Sequence, residues 1–186
     1  MKFNKHLSLD GEHSFLSGSK YHWINYDDEK IVSAYNKFLA VQRGVQLHAL
    51  ANDLILNGIK LPNNKKTFNQ YVNDAIGFRM TPEQVLYYSP NAFGTADSIS
   101  FRDGLLRIHD LKTGVSPVSV HQLEVYASYF CLEYDEKPAL IEMELRVYQM
   151  EDVLIHHPDP EQIKMIMNKI VVFDKYIEEI KKELEE

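Results

Sequence analysis

A single cysteine, Cys131, leaves the chain without an internal disulfide or a multi-cysteine zinc or iron–sulfur site, a usage that fits a reducing cytoplasm. No run of about 18 apolar residues occurs, and the polar stretch from Met1 to His13 has no signal-peptide core, so neither a helical membrane span nor secretion is expected. Positive charge is also scarce: 20 Lys and Arg face 27 Asp and Glu, a formal net charge of −7 that excludes a generally basic nucleic-acid coat. Any contact with DNA must be local. Low-complexity stretches and internal repeats are missing, and the eight glycines and seven prolines are scattered as turn punctuation. What remains is ordinary globular composition, 45% apolar and 25% charged over 186 residues, enough for one continuous domain with a sizeable core.

The apolar pattern separates helices from strands. Serines in the segment from Ser14 to Asn25 offer a start for a short helix. From Lys30 to about Asn57, Ile31, Ala34, Leu39, Val45, Leu47, Leu50, Leu54 and Ile55 recur by threes and fours, which predicts a helix broken near Gly44. Thr67 to Ile76 reads as a short helix capped by its threonine. Gln84–Ser89, Gly94–Phe101 and Leu105–Leu111 predict three antiparallel strands, the last two joined by a turn at Asp103-Gly104. Val118 to Tyr134 predicts a helix over the sheet with Ser119 as its cap. Ala139, Ile141, Met143, Leu145 and Val147 alternate with polar residues as a half-buried strand, and a shorter strand follows at Val153–His156. Asp159-Pro160 then opens a long helix in which Ile163, Ile166, Ile170, Phe173, Ile177, Ile180 and Leu184 form a seam. The organisation expected is a body over 1–158 and a C-terminal helix over 159–186, which packs on that body or joins copies of the chain.

Candidate chemistry gathers around the hairpin. Asp97 lies six residues before Asp103 and Asp110 six after Gly104, so the two carboxylates face each other across the ladder. Lys112, two residues after Asp110, projects from the same strand face at a spacing of about 6 to 7 Å. Two close carboxylates repel unless a cation sits between them, and oxygen ligands suit a hard ion such as Mg²⁺ or Mn²⁺ that also binds substrate phosphate. Hydrolysis of a phosphodiester is the reaction class this predicts, with Lys112 positioning water or neutralising developing charge.

Asp97, then Asp110-Leu111-Lys112, with Gln122 and Tyr126 as Q-x-x-x-Y, resembles the PD-(D/E)XK nucleases of the RecB exonuclease type. Arg43-Gly44 followed by His48 is similar to that group's R-G-x-x-x-H helix motif, and Gly94-x-x-Asp97 to its G-x-x-D. The likeness spans about residues 15–150. It implies an α/β fold with a restriction-endonuclease-like core, a small mixed β-sheet flanked by helices, and here a long C-terminal helix. It further implies His48, Asp97, Asp110 and the Leu111 carbonyl as metal ligands and Lys112 as the catalytic lysine. Gln122 and Tyr126 would orient the site or the DNA backbone. Glu83 matches an acid the family often carries one strand earlier, but after Thr81-Pro82 it reads as a first-turn glutamate and stays outside the expected site.

With one cysteine and no G-x-x-x-x-G-K-[ST], the chain lacks the iron–sulfur cluster and the motor found in some relatives of that group. It resembles instead a compact stand-alone nuclease, like those of bacteriophages that process DNA ends for recombination. The function implied is a Mg²⁺- or Mn²⁺-dependent exonuclease on linear double-stranded DNA with ends. A homo-oligomer and a single-strand annealing protein are the partners expected. Two alternatives stay open: a structure-specific endonuclease, and a non-catalytic DNA-end or protein-binding module on the same fold. Three further readings complete the set. Tyr87, Tyr88, Tyr126, Tyr129 and Phe130 read as core aromatics, with Tyr126 also in the motif; Lys60, Lys65 and Lys66 form the best loop for phosphate contact; and His109 points away from Asp110, while His121, His156 and His157 receive no role.

Overall fold

The computed structural model describes residues 3–9, 11, 14–115, 117 and 119–185. The chain forms two compact units, residues 1–45 and 46–186. In the first, Ser17 caps a short 3-10 helix over Gly18–Asn25, the Trp23 indole donates to the Ser17 carbonyl, and the rings of Phe15, Tyr35 and Phe38 cluster. Helix α1 (Asp28–Leu56) begins in this unit and continues without interruption through Gly44, where the sequence predicts a break.

The second unit is an α/β body: α2 (Thr67–Gly77), β1 (Thr81–Ser89), β2 (Ala92–Arg102), β3 (Leu105–Leu111), α3 (His121–Glu133), β4 (Glu142–Gln149), β5 (Asp152–His156) and α4 (Pro160–Glu185). The five strands make one mixed sheet in the order β1-β2-β3-β4-β5, antiparallel except that β3 and β4 run parallel through the α3 crossover. Among the described residues no helix is long and apolar enough to cross a membrane.

Local chemistry explains the elements. Asp103 and Gly104 both take positive φ, 51° and 77°, the conformation a two-residue hairpin needs. Asp159 accepts the Glu161 amide and so caps α4 as expected. Ser119 accepts the His121 amide at the head of α3; the expected start at Val118 lies outside the described residues. Thr67 is the first residue of α2 rather than its cap, and Lys66 in the cap position contributes no side-chain bond. β4 starts at Glu142, three residues later than the alternation predicts, because Pro138–Leu140 forms a 3-10 turn.

Helices pack on both faces of the sheet. On one, Leu123, Ala127 and Phe130 of α3 and Ile163 of α4 pack on Leu106, Ile108 and Leu145. On the other, Ala51 and Ile55 of α1 and Tyr71, Val72 and Ala75 of α2 pack on Leu111 and Tyr148. Ile163 is fully buried, while Phe173, Tyr176, Ile180 and Leu184 further along α4 are exposed, so only the first turns of the long helix belong to the core.

Candidate metal and phosphodiester site

β3 alternates between these faces, and its last residues deliver the site. His109 and Leu111 point toward α2, whereas Asp110 follows Leu106 and Ile108 on the side of α3. The β2–β3 ladder runs to Ser98↔His109, the pair just before Asp97 and Asp110. The Asp97 Oδ2 accepts the Leu111 amide at 2.8 Å. His48, on the part of α1 that packs with α2, brings Nδ1 to 3.4 Å from the same oxygen.

Glu83 completes the group. One ligand atom each from His48, Glu83 and Asp97 lie within 4.8 Å of one another. The sequence expectation excluded Glu83, because Thr81-Pro82 looked like a helix start; Pro82 instead sits near the beginning of edge strand β1, where its missing N–H costs nothing. The pairs Pro82↔Ser98 and Gln84↔Ala96 then set Glu83 opposite Asp97. Glu83 takes a left-handed φ of 50°, rare for a residue with a side chain and concentrated at functional positions. A strand assignment starting three residues earlier was the missing signal.

Asp110 stands beside this trio rather than inside it. Its carboxylate is almost fully buried; Oδ1 accepts from the Lys112 ammonium at 3.0 Å, and Oδ2 has no hydrogen-bond partner. Burial, then the charge of Asp97, raises its proton affinity, with Lys112 opposing. Glu83 is raised by the same two causes, and His48 is raised first of all by its bond to Asp97. Asp110 and Glu83 thus hold their protons more tightly than free carboxyls, both through burial and then the charge of Asp97. A buried carboxylate oxygen without a partner and a His-Glu-Asp donor set fit a hard or borderline divalent ion such as Mg²⁺ or Mn²⁺.

The remaining expected residues form a relay on the α3 side. Lys112 also donates to Gln122 Oε1 at 2.8 Å, and Gln122 Nε2 donates to the Tyr126 hydroxyl at 3.0 Å. The ring of Tyr126 lies against Gly94 so closely that a Cβ there would stand 2.8 Å from Cε1. The glycine of the G-x-x-D segment is therefore the seat of the tyrosine. Leu111 offers its amide to Asp97 while its side chain is buried beside Tyr148, whose carbonyl accepts the Lys112 amide.

Other expectations divide. His109 points away from Asp110 and is packed between Phe78 and Tyr148. His121 and His156 bracket the buried Glu124 at 2.8 and 3.0 Å, the second from 32 residues away, and His157 lies 3.0 Å from the Met143 carbonyl. Burial alone would push the Glu124 carboxyl up; the two imidazoles bring it below its usual range and tie α3 to β5. Phe130 is core, and Tyr126 and Tyr129 are half-buried against it, but Tyr87 is exposed on β1, contrary to its expected place in the interior. Lys60, Lys65 and Lys66 are exposed in the loop before α2. No protein-family model matches the chain, and no curated protein or solved structure matches it.

Proposed function

We propose that the chain is a Mg²⁺- or Mn²⁺-dependent deoxyribonuclease with a PD-(D/E)XK-type site, acting as an exonuclease on DNA ends. The observation that carries this reading is the convergence of His48, Glu83 and Asp97 beside a buried Asp110 whose second oxygen is unpartnered and whose first is held by Lys112. When bound, such an ion supplies Lewis acidity toward a phosphodiester oxygen and makes nearby water more acidic. The chain's own residues do the rest. His48, Glu83 and Asp97 would hold the ion, with the Leu111 amide bonded to Asp97 and Asp110 nearby. Lys112, held by Asp110 and Gln122, presents its ammonium to the attacking water and to charge growing on the phosphoryl oxygens. Tyr126 fixes the Gln122 amide, so the lysine keeps its place through the reaction.

The net charge of −7 suits neither a long duplex nor a bare surface. An oligomer that surrounds DNA relieves this tension, and the exposed apolar residues of α4 offer a surface for copies of the chain. Digestion of linear and of closed circular duplex DNA, with Mg²⁺, with Mn²⁺ and with chelator, tests the reading. Loss of the linear form alone supports an exonuclease in recombination or replication, and cutting of the circle makes it an endonuclease. Absence of cleavage with every ion, or equal cleavage by an Asp110→Ala control, overturns it and leaves a binding module.

A further inference from the structure

The strands that carry Glu83 and Asp97 also carry an apolar track. Along β1, Glu83, Val85 and Tyr87 are exposed at alternate positions while Pro82 and Leu86 are buried. On β2 the register pairs Val85 with Thr95 and Tyr87 with Phe93. Tyr87 is 47% and Phe93 58% exposed, their ring centroids 6.4 Å apart. Helix α2 packs on β3 and β4, and over β1 and β2 this side chain row stands in the open. Buried apolar residues on one face are what a half-covered strand needs; the aromatic pair on the other, wet face adds a cross-strand contact and still leaves its rings largely exposed.

β1 is an edge strand, and its edge is blocked. The Tyr87 amide donates to the Glu133 carboxylate, and the Val85 carbonyl accepts from the Gln84 side chain. The left-handed φ at Glu83 further interrupts the strand. Extension of the sheet by a strand from a second copy is thereby disfavoured. What stays available is the exposed surface of the two rings.

From this we infer that Tyr87 and Phe93 form a stacking platform for unpaired bases, so that the substrate enters the site as a single-stranded or frayed DNA end. This rests on the nuclease reading above. The platform lies four strand residues from Glu83 and Asp97, or about 13 Å at ~3.3 Å per residue. That is about four stacked nucleotides at ~3.4 Å each from a phosphate held at the acidic cluster. Bases inside a duplex hide their faces in the stack, so an exposed ring pair reaches only unstacked ones, and every base has a face to offer. Uncharged rings also bind nucleic acid without the basic surface that this acidic chain lacks. Substrate then approaches along β1 and β2, bases on the rings and backbone leading to the carboxylates.

The test uses the full chain carrying Asp110→Asn, so that nothing is cut, and a short single-stranded oligodeoxynucleotide containing a fluorescent adenine analogue that stacking quenches. Binding with Mg²⁺ is expected to quench the analogue. Replacing Tyr87→Val together with Phe93→Val keeps strand-forming residues and should abolish the quench and weaken binding about five-fold or more. Tyr87→Phe should retain both, and a blunt duplex should respond to none of these changes. Undiminished affinity and quench in the double valine variant would overturn the platform. So would failure of the single strand to bind, or a change confined to self-association in sedimentation. A wild-type chain that quenches but never cleaves would sink the nuclease reading and leave the platform standing. Cleavage with unchanged KM in the double valine variant would do the reverse.

Discussion

His109 and Asp110 are neighbours on β3, both almost fully buried, and each keeps one polar atom without a hydrogen-bond partner. Their surroundings separate them. On the α2 side, His109 meets the Tyr148 hydroxyl at 3.3 Å and the edge of Phe78, whose ring also carries the Arg107 and Arg146 guanidiniums. Tyr148 and Arg146 converge on Asp74, so the network closes on itself. Burial, then the two arginines, push the His109 imidazole down to about 3, and it stays neutral. Asp110 is held by the Lys112 ammonium at 3.0 Å and feels the charges of Asp97 and His48, while its second oxygen has no hydrogen-bond partner. One buried polar residue is enclosed by rings and a closed charge network, and the next is held by a single lysine beside other acids.

The comparison breaks most sharply at Asp110. Asp110→Ala or Lys112→Ala should lower the rate of DNA cleavage by about 10³-fold, with the circular dichroism spectrum unchanged. Equal loss of fold and activity would make Asp110 structural like its neighbour. The mirror experiment is His109→Ala, which should cost about 2 to 4 kcal/mol in denaturant unfolding by leaving a cavity and an unanswered Tyr148 hydroxyl. Cleavage per folded molecule should survive it.

Ligand substitutions come next. Glu83→Gln and His48→Ala should each raise the Mn²⁺ concentration for half-maximal activity about ten-fold, and calorimetric titration of Mn²⁺ should show the same loss. A metal titration that ignores Glu83→Gln returns that residue to the role of a strand-edge acid. The His109 side also predicts a pH dependence. Its folded proton affinity lies below the unfolded value, so the unfolded chain takes up the proton first. The stability from neutral His109 is full above about 6.5 and falls by up to about 1.4 kcal/mol per pH unit as the pH drops from there toward 3. Unfolding midpoints of His109→Phe across that window should fall less steeply than those of the natural chain. The smallest effect is at the relay: Gly94→Ala displaces the Tyr126 ring and should cut activity several-fold, and Tyr126→Phe, which deletes the acceptor but not the ring, should match part of it.

Strand alternation, the Asp-Gly hairpin and the long closing helix were legible because each has a local physical cause: period-two burial, positive φ at the turn, and an aspartate cap before proline. The contact of Lys112 with Asp110 followed from counting along β3. Glu83 was illegible for the opposite reason. Thr-Pro-Glu is as good a helix opening as a strand start, and only the pairing with β2 decides between them. The Glu124 contact with His156 joins residues 32 positions apart, which no local pattern announces, whereas His121 stands three residues before Glu124 on the same helix. Tyr87 was misjudged because alternation tells that one face is buried but not which one.

The parallel pairing of β3 with β4 has one more consequence, for a chain still being synthesised. His48, Glu83, Asp97, Asp110, Lys112, Gln122 and Tyr126 have all been made by the time α3 is complete, but β4, whose Tyr148 carbonyl holds the Lys112 amide, has not. A nascent chain ending at Glu133 therefore owns every candidate catalytic residue and lacks the strand against which two of them are laid. The candidate site is therefore complete only once β4 has been made and paired with β3.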